Sequence, residues 1–99
     1  MVGTPVYISG EVKLIRYSPN RKPSERRMMV TLAVPIIQRK QHLNMRVPVD
    51  FVGRNASMAR NSLKKGDKVT ITGTMYTWLS RDEAYTLIRG EGVWKHEAR

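Results

Sequence analysis

The chain has no cysteine, which excludes disulfides, thiolate metal sites and a cysteine nucleophile. No apolar run is long enough to span a bilayer, and the N-terminal segment MVGTPVYIS lacks the basic-then-apolar pattern of a secretory signal. No phosphate-binding glycine loop, metal-ligand spacing or nucleophile motif occurs, and His42 and His96 lie among basic residues rather than carboxylates. We therefore expect a cytoplasmic protein that is no enzyme and needs no metal or cofactor.

Acidic residues are also scarce, since eight Asp and Glu stand against 18 Lys and Arg, a net charge of +10. Such an imbalance favours a polyanionic partner, nucleic acid before anionic membrane. Between positions 13 and 46 the sequence has one acidic residue, Glu25, against nine basic residues: Lys13, Arg16, Arg21, Lys22, Arg26, Arg27, Arg39, Lys40 and Arg46. This clustering favours nucleic acid over a merely solubilising surface.

The length of 99 residues predicts a single domain over residues 1–99. Alternating apolar and polar residues predict five strands, at 5–17, 28–37, 46–52, 68–79 and 84–94, with one short helix at 55–63. Basic loops at about 18–27 and 38–46 connect the first three strands. A helix between the third and fourth of five strands predicts an all-β fold, the five-stranded OB-fold barrel.

In the first predicted strand, Gly10 indicates a bulge or a sharp bend. Alternation places Val12 and Leu14 on the core face, and Tyr7 and Ile15 on the outer face. Apolar residues on outer faces of so small a barrel predict self-association. We expect a homodimer, with a tetramer as the alternative.

The segment VPVDFVGRNASMARNSLKKGDKVTITGTM, residues 47–75, resembles the central part of bacterial single-stranded DNA-binding proteins. It has the apolar-glycine pair at 52–53, the Leu-x-Lys-Gly turn at 63–66 and the V-x-I-x-G strand at 69–73. Upstream, ISGEVKLIR and MVTLAV resemble the first two strands of that family. The resemblance implies an OB-fold dimer or tetramer that binds single-stranded DNA. The family's acidic, partner-recruiting tail is missing at the terminal KHEAR, which favours the tailless relative, primosomal replication protein N.

Binding a single strand without regard to sequence needs aromatic faces for the bases and positive charge for the phosphates. Trp78 and Tyr76 share the face of the fourth strand opposite its apolar residues, and the resemblance implies that an aromatic near this point stacks on DNA. Tyr85 lies across a short turn, where we expect it beside Trp78. Tyr17 leads into the first basic loop. The predicted phosphate-contacting residues are Arg16, Arg21, Lys22, Arg26, Arg27, Arg39, Lys40 and Arg46.

The sequence therefore predicts a sequence-tolerant single-stranded DNA-binding protein, nucleoid-associated, that acts in replication, recombination or primosome assembly. Replication or recombination proteins are its candidate protein partners. Two alternatives stay open: an RNA-binding OB-fold protein, because such barrels share shape and charge, and a barrel that binds another protein and uses its charge for solubility.

Overall fold

A computed structural model describes residues 2–18 and 22–96, which form one closed β-barrel. Along the chain the elements are β1 (Val2–Ser18), a 3₁₀ turn (Pro23–Glu25), β2 (Arg27–Gln38), β3 (Gln41–Val52), α1 (Arg54–Ser62), β4 (Lys68–Ser80) and β5 (Glu83–Lys95). Around the barrel the strand order is β1-β2-β3-β5-β4. The prediction of a five-stranded OB-fold with one short helix between β3 and β4 is confirmed.

The barrel interior is filled by the inward-facing residues of alternating strands. Fully or almost fully buried apolar side chains come from every strand except β5 and from the helix: Val12, Met28, Val30, Leu32, Val49, Phe51, Ala56, Ala59, Val69 and Ile71. The nine-residue α1 is too short to persist alone, so its two buried alanines and the core beneath them stabilise it. Because α1 follows β3, it lies at the end of the barrel where β3 finishes.

Strand β1 contains a bulge three residues beyond the predicted one. Its pairing with β2 runs from Val12 opposite Leu32 directly to Leu14 opposite Thr31, which leaves Lys13 unpaired. The extra residue reverses the alternation, so Leu14 is 44% exposed and Ile15 packs against the core. The expectation of an inward Leu14 and an outward Ile15 was therefore wrong.

Gly10, where the bulge was expected, permits a close approach of two strands instead. A Cβ atom at this position would lie 2.5 Å from the carbonyl oxygen of Ala33 on β2, closer than real Cβ contacts. A side chain at position 10 would therefore push β1 and β2 apart.

Two hairpins extend beyond the barrel wall. Pairing of β2 with β1 ends at Ala33, although β2 and β3 stay paired to their turn; likewise, β4 is paired with β1 up to Thr77 but with β5 up to Ser80. We call residues 34–45 the β2–β3 arm and residues 78–85 the β4–β5 arm. Because β3 and β5 are parallel, both arms leave the same end of the barrel, opposite α1. The radius of gyration, 14.4 Å, exceeds the roughly 13 Å of a compact chain of this length.

The turn of the β2–β3 arm is shorter than the predicted loop at 38–46. Only Arg39 and Lys40 form it, and both have positive φ, 50° and 65°. A two-residue turn of this kind matches the twist of a hairpin, so the strand pairing continues to Gln38 and Gln41. Most of the predicted loop is therefore strand, and its side chains have fixed directions.

Candidate nucleic-acid interface

An aromatic pair forms the most prominent feature of the β4–β5 arm. Trp78 and Tyr85 are directly opposite each other across the two strands, as the short turn predicts. Their ring centroids are 5.7 Å apart and their planes differ by 19°. Trp78 is 36% exposed and Tyr85 42%, so the stacked pair keeps ring surface open to solvent. We call this pair the aromatic platform.

The phenol of the platform is fixed by a neighbouring carboxylate. The Tyr85 hydroxyl donates a hydrogen bond to Glu83 Oε2 at 2.7 Å. This hydrogen bond, and to a lesser extent burial, raises the pKa of the Tyr85 phenol. At the tip, Asp82 and Glu83 also offset the charge of Arg81. The platform therefore offers neutral stacking surface, and the positive charge must come from elsewhere.

Tyr76 lies on the same face of β4 as Trp78 but belongs to the barrel wall. It is paired with Leu87 on β5 and with Gly3 on β1. A Cβ atom on Gly3 would be 3.2 Å from Tyr76 Cε1, so the phenol ring extends over the β1 backbone there. Tyr76 is next to the platform along the strand and is less exposed than it.

Tyr17 lies near the opposite end of the barrel and is not brought near the platform. It packs against the core beside the end of β1. The Arg60 guanidinium of α1 sits over its ring, 4.4 Å from the centroid. One face of Tyr17 is therefore already occupied by a cation–π contact.

Three of the predicted basic residues lie along the β2–β3 hairpin. Arg39 and Lys40 form the exposed tip, and Arg46 is exposed on β3 just below the arm, opposite Ala33. These charges are at the same end of the barrel as the aromatic platform. The sequence reasoning missed the aliphatic side chains between them, since Ile37 is 72% exposed and Met45 47%. The consecutive isoleucines at 36 and 37, just before the tip, could have indicated an apolar side chain on the outer face of this hairpin.

The remaining predicted basic residues are near α1 or are engaged. Arg16, near the end of β1, and Lys22, just before the 3₁₀ turn, are both exposed. Arg26 Nη1 donates a hydrogen bond to Ser57 Oγ on α1 at 3.3 Å. Arg21 lies outside the described residues. Arg16, Lys22 and Arg26 extend the basic surface to the end of the barrel where α1 lies.

Arg27 holds a buried carboxylate at the seam between β3 and β5. Its Nη2 donates to Asp50 Oδ2 at 2.9 Å, and Arg89 Nη2 lies 3.6 Å from the same oxygen. Asp50 is 1% exposed and forms the β3–β5 bridge with Arg89. Sequence reasoning missed both Asp50 and Arg89, whose pairing is made only by barrel closure. Arg27 therefore has a structural partner before any ligand arrives.

Within residues 2–18 and 22–96, no helix has the length and apolar character needed to cross a membrane. The same residues contain no group of three or more His, Asp or Glu side chains arranged to hold a metal ion.

No protein-family model matches the sequence, and a search of curated proteins gives no significant match. The structure, in contrast, is similar to several solved structures. A small single-stranded DNA-binding protein from Streptomyces coelicolor superposes with a TM-score of 0.72 at 19% identity, covering 100% of this chain and 98% of that one. A small single-stranded DNA-binding protein from Mycoplasma pneumoniae gives 0.70 at 16% identity, covering 100% and 99%.

A third similar structure contains nucleic acid. The Plasmodium falciparum SSB in complex with ssDNA gives a TM-score of 0.69 at 13% identity and covers 94% of each chain. At these identities the likeness establishes the fold: the chain has the barrel, over nearly its whole length, that these single-stranded DNA-binding proteins have.

Proposed function

We propose that the protein is a sequence-tolerant single-stranded DNA-binding protein that acts in replication, recombination or primosome assembly, as a nucleoid-associated protein of the cytoplasm. The observation that carries the proposal is the position of the aromatic platform at the same end of the barrel as the basic β2–β3 arm. The proteins of similar structure, one of them in complex with single-stranded DNA, support the same function.

In this proposal the aromatic platform binds the bases, and the basic residues of the β2–β3 hairpin bind the phosphates. Bases stack on Trp78 and Tyr85, which contributes about 1–3 kcal/mol per base and accepts any base because each has a flat face. Arg39, Lys40 and Arg46 contact phosphates and release counterions, so affinity falls as salt rises. Tyr76 extends the stacking surface toward the barrel wall.

The basic residues near α1 extend the proposed path of the strand. Arg16, Lys22 and Arg26 are at the opposite end of the barrel from the platform. Arg21, the fourth predicted contact of this group, lies outside the described residues. Tyr17 adds a ring at this end. A strand that contacts both ends crosses the barrel wall, so the site needs more nucleotides than the platform alone. Arg27, held by Asp50, contributes through the remaining exposed part of its guanidinium.

We propose further that the protein is a homodimer, formed through the outer face of β1, β4 and β5. Tyr7 and Trp94 are 75% and 69% exposed there, with Thr70 and Thr72 between them on β4. An outer face with two uncovered aromatic rings is suited to self-pairing. Light scattering should give a dimer mass that falls toward the monomer in Tyr7→Ser with Trp94→Ser; a monomeric wild type would refute the proposal, and a tetramer would extend it.

The binding proposal is tested by fluorescence anisotropy of labelled oligo-dT at two salt concentrations. We expect tight, salt-dependent binding, with weaker binding to a duplex of the same length and to oligo-U. Replacing Arg39 and Lys40 with alanine should reduce the slope of log affinity against log salt by about 1.4, since each phosphate contact on a single strand contributes roughly 0.7. Undetectable binding at low salt would refute the proposal, and equal or tighter binding to oligo-U would favour an RNA ligand.

A further inference from the structure

A hollow of about 400 Å³ opens on the outer barrel surface where β2 separates from β1. One row of residues crosses four strands beside it: Lys68 on β4, Glu11 on β1, Ala33 on β2 and Arg46 on β3. Ala33 is 5% exposed, and its short side chain among three long ones leaves an apolar floor. The next cross-strand pair, Pro35 and Asn44, lines the hollow on its arm side.

The hollow has one carboxylate among positive charges. Glu11 is paired with Lys13, the unpaired residue of the β1 bulge, and the two side chains are 35% and 39% exposed. The hydrogen bond from Lys13, followed by its charge, holds the pKa of Glu11 below its ordinary value of 4.5, and Lys68 and Arg46 act in the same direction. The hollow therefore presents an ionised carboxylate directly beside an ammonium group.

Such an arrangement is complementary to the Watson–Crick edge of a base. The Glu11–Lys13 ion pair is half-exposed, and solvent screening keeps such a pair weak, so an incoming polar edge can share both groups. Guanine is the base that offers two adjacent N–H donors, at N1 and N2, to the two oxygens of one carboxylate, beside an O6 acceptor for the ammonium. Thymine offers a single N–H, at N3, between two carbonyl oxygens. One carboxylate oxygen can accept from this N–H, but the other then faces a thymine carbonyl oxygen and is repelled by it.

We propose that this hollow binds an unstacked guanine of the bound strand, which rests on the proposed binding of single-stranded DNA. Glu11 accepts hydrogen bonds from guanine N1–H and N2–H, Lys13 donates to O6, and the base lies over Ala33 and Pro35. Arg46, exposed at the end of the same row, holds the adjoining phosphate. The protein then tolerates any sequence but prefers one guanine at this position.

The test compares oligo-dT with the same oligonucleotide carrying a single central dG, dA or dC. Bidentate recognition of a base in a half-exposed site should make the dG oligonucleotide bind about five- to tenfold tighter than oligo-dT. Glu11→Gln should abolish the preference for dG, because an amide presents one acceptor and one donor. It should leave binding to oligo-dT intact or slightly tighter, since it removes a negative charge. Glu91→Gln removes the same charge from β5, outside the hollow, and should keep the preference.

Titration with free GMP and TMP, followed by amide chemical shifts, separates this inference from the wider proposal. GMP alone should shift the amides of Glu11, Ala33 and Asn44, whether or not any oligonucleotide binds. Equal affinity for all four oligonucleotides, or a dG preference that survives Glu11→Gln, would overturn the guanine site. If no oligonucleotide binds at low salt, the proposed function fails, and the GMP and TMP titrations still decide whether the hollow selects guanine.

Discussion

Replacing Trp78 by alanine should weaken binding to oligo-dT about tenfold. Trp78 stacks on Tyr85 at 5.7 Å, so one face of its ring is covered by the protein and the opposite face is left for a base. A single base–aromatic stack is worth about 1–3 kcal/mol, and tenfold corresponds to about 1.4 kcal/mol. We take the lower part of this range because the ring is 36% exposed and the loss of one stack is partly offset by solvation of the freed base.

The two platform residues should not act independently. Tyr85→Ala alone is also expected to weaken binding about tenfold, because it removes a stacking ring and the support of Trp78. Aromatic pairs of this geometry are coupled by about 0.5–1.5 kcal/mol. If the two residues acted independently, the double variant would lose about a hundredfold in affinity. We expect a smaller loss, because each single change already disturbs the other ring.

Anisotropy of a labelled oligonucleotide is the appropriate assay, since Trp78→Ala would leave Trp94 as the source of tryptophan fluorescence and the signals of the two proteins could not be compared. The salt dependence of binding should not change in Trp78→Ala, because no charge is removed. Leu79→Ala is the matched control: Leu79 is next in sequence and 81% exposed, but it points to the other face of the arm. A change below twofold for Trp78→Ala, or an equal loss for Leu79→Ala, would refute stacking on the platform. Strict additivity would refute a coupled pair.

Three further predictions concern the barrel itself. Gly90→Ala should lower the unfolding free energy by about 1–3 kcal/mol in urea titrations, because the added methyl group would overlap the buried ring of Phe51; an unchanged midpoint would contradict this packing. Asp50→Ala should lower the unfolding free energy by about 2 kcal/mol, because it leaves the guanidinium groups of Arg27 and Arg89 without their carboxylate. Asp50→Asn should lower it less, and equal losses in the two variants would argue against the ion pairs. The hydrogen bond from the Lys64 backbone N–H, followed by the hydrogen bond from the Lys95 ammonium, lowers the pKa of Asp67 below its ordinary value of 3.8. Ionised Asp67 therefore stabilises the fold above that value, and this stabilisation is lost as pH falls through the lowered pKa. Asp67→Asn should flatten the acid limb of a plot of stability against pH, and an unchanged acid limb would contradict this role.

The strand order and the helix were predictable from the sequence because period-two alternation and a short apolar stripe are local signals. The aromatic platform was predictable for a related reason. A short turn after Ser80 places Trp78 opposite Tyr85 whatever the rest of the barrel does. Contacts between distant parts of the chain were not predictable in this way. Arg60 lies 43 positions from Tyr17, and only the docking of α1 on the barrel puts the guanidinium over that ring.

The β2–β3 arm was underestimated because the polar composition of residues 38–46 predicted a loop, whereas the β4–β5 arm was predicted to within a residue at each strand end. Backbone hydrogen bonds, not side-chain polarity, decide whether a hairpin ladder continues. The turn at Arg39 and Lys40 adopts positive φ at two residues without the Asn-Gly sequence that usually marks it. The ladder therefore extends to residue 38 with no local signal. This extension matters for the site, since it gives Arg46 and the exposed apolar side chains of the β2–β3 arm fixed positions rather than mobile ones.

The bulge in β1 connects the fold to the guanine hollow. Alternation could not locate it, because Leu14 and Ile15 are both apolar and either one fits the core. A regular strand without residue 13 would keep Val12 inside, Leu14 outside and Ile15 inside, so the packing of the core does not require the inserted residue. Lys13, whose backbone is not paired with β2, adds an ammonium group that lies against Glu11 at the mouth of the hollow. The bulge lies next to Glu11, where β1 changes its pairing partner from β4 to β2, so the same inserted residue bends the strand around the barrel and places an ammonium group beside the hollow.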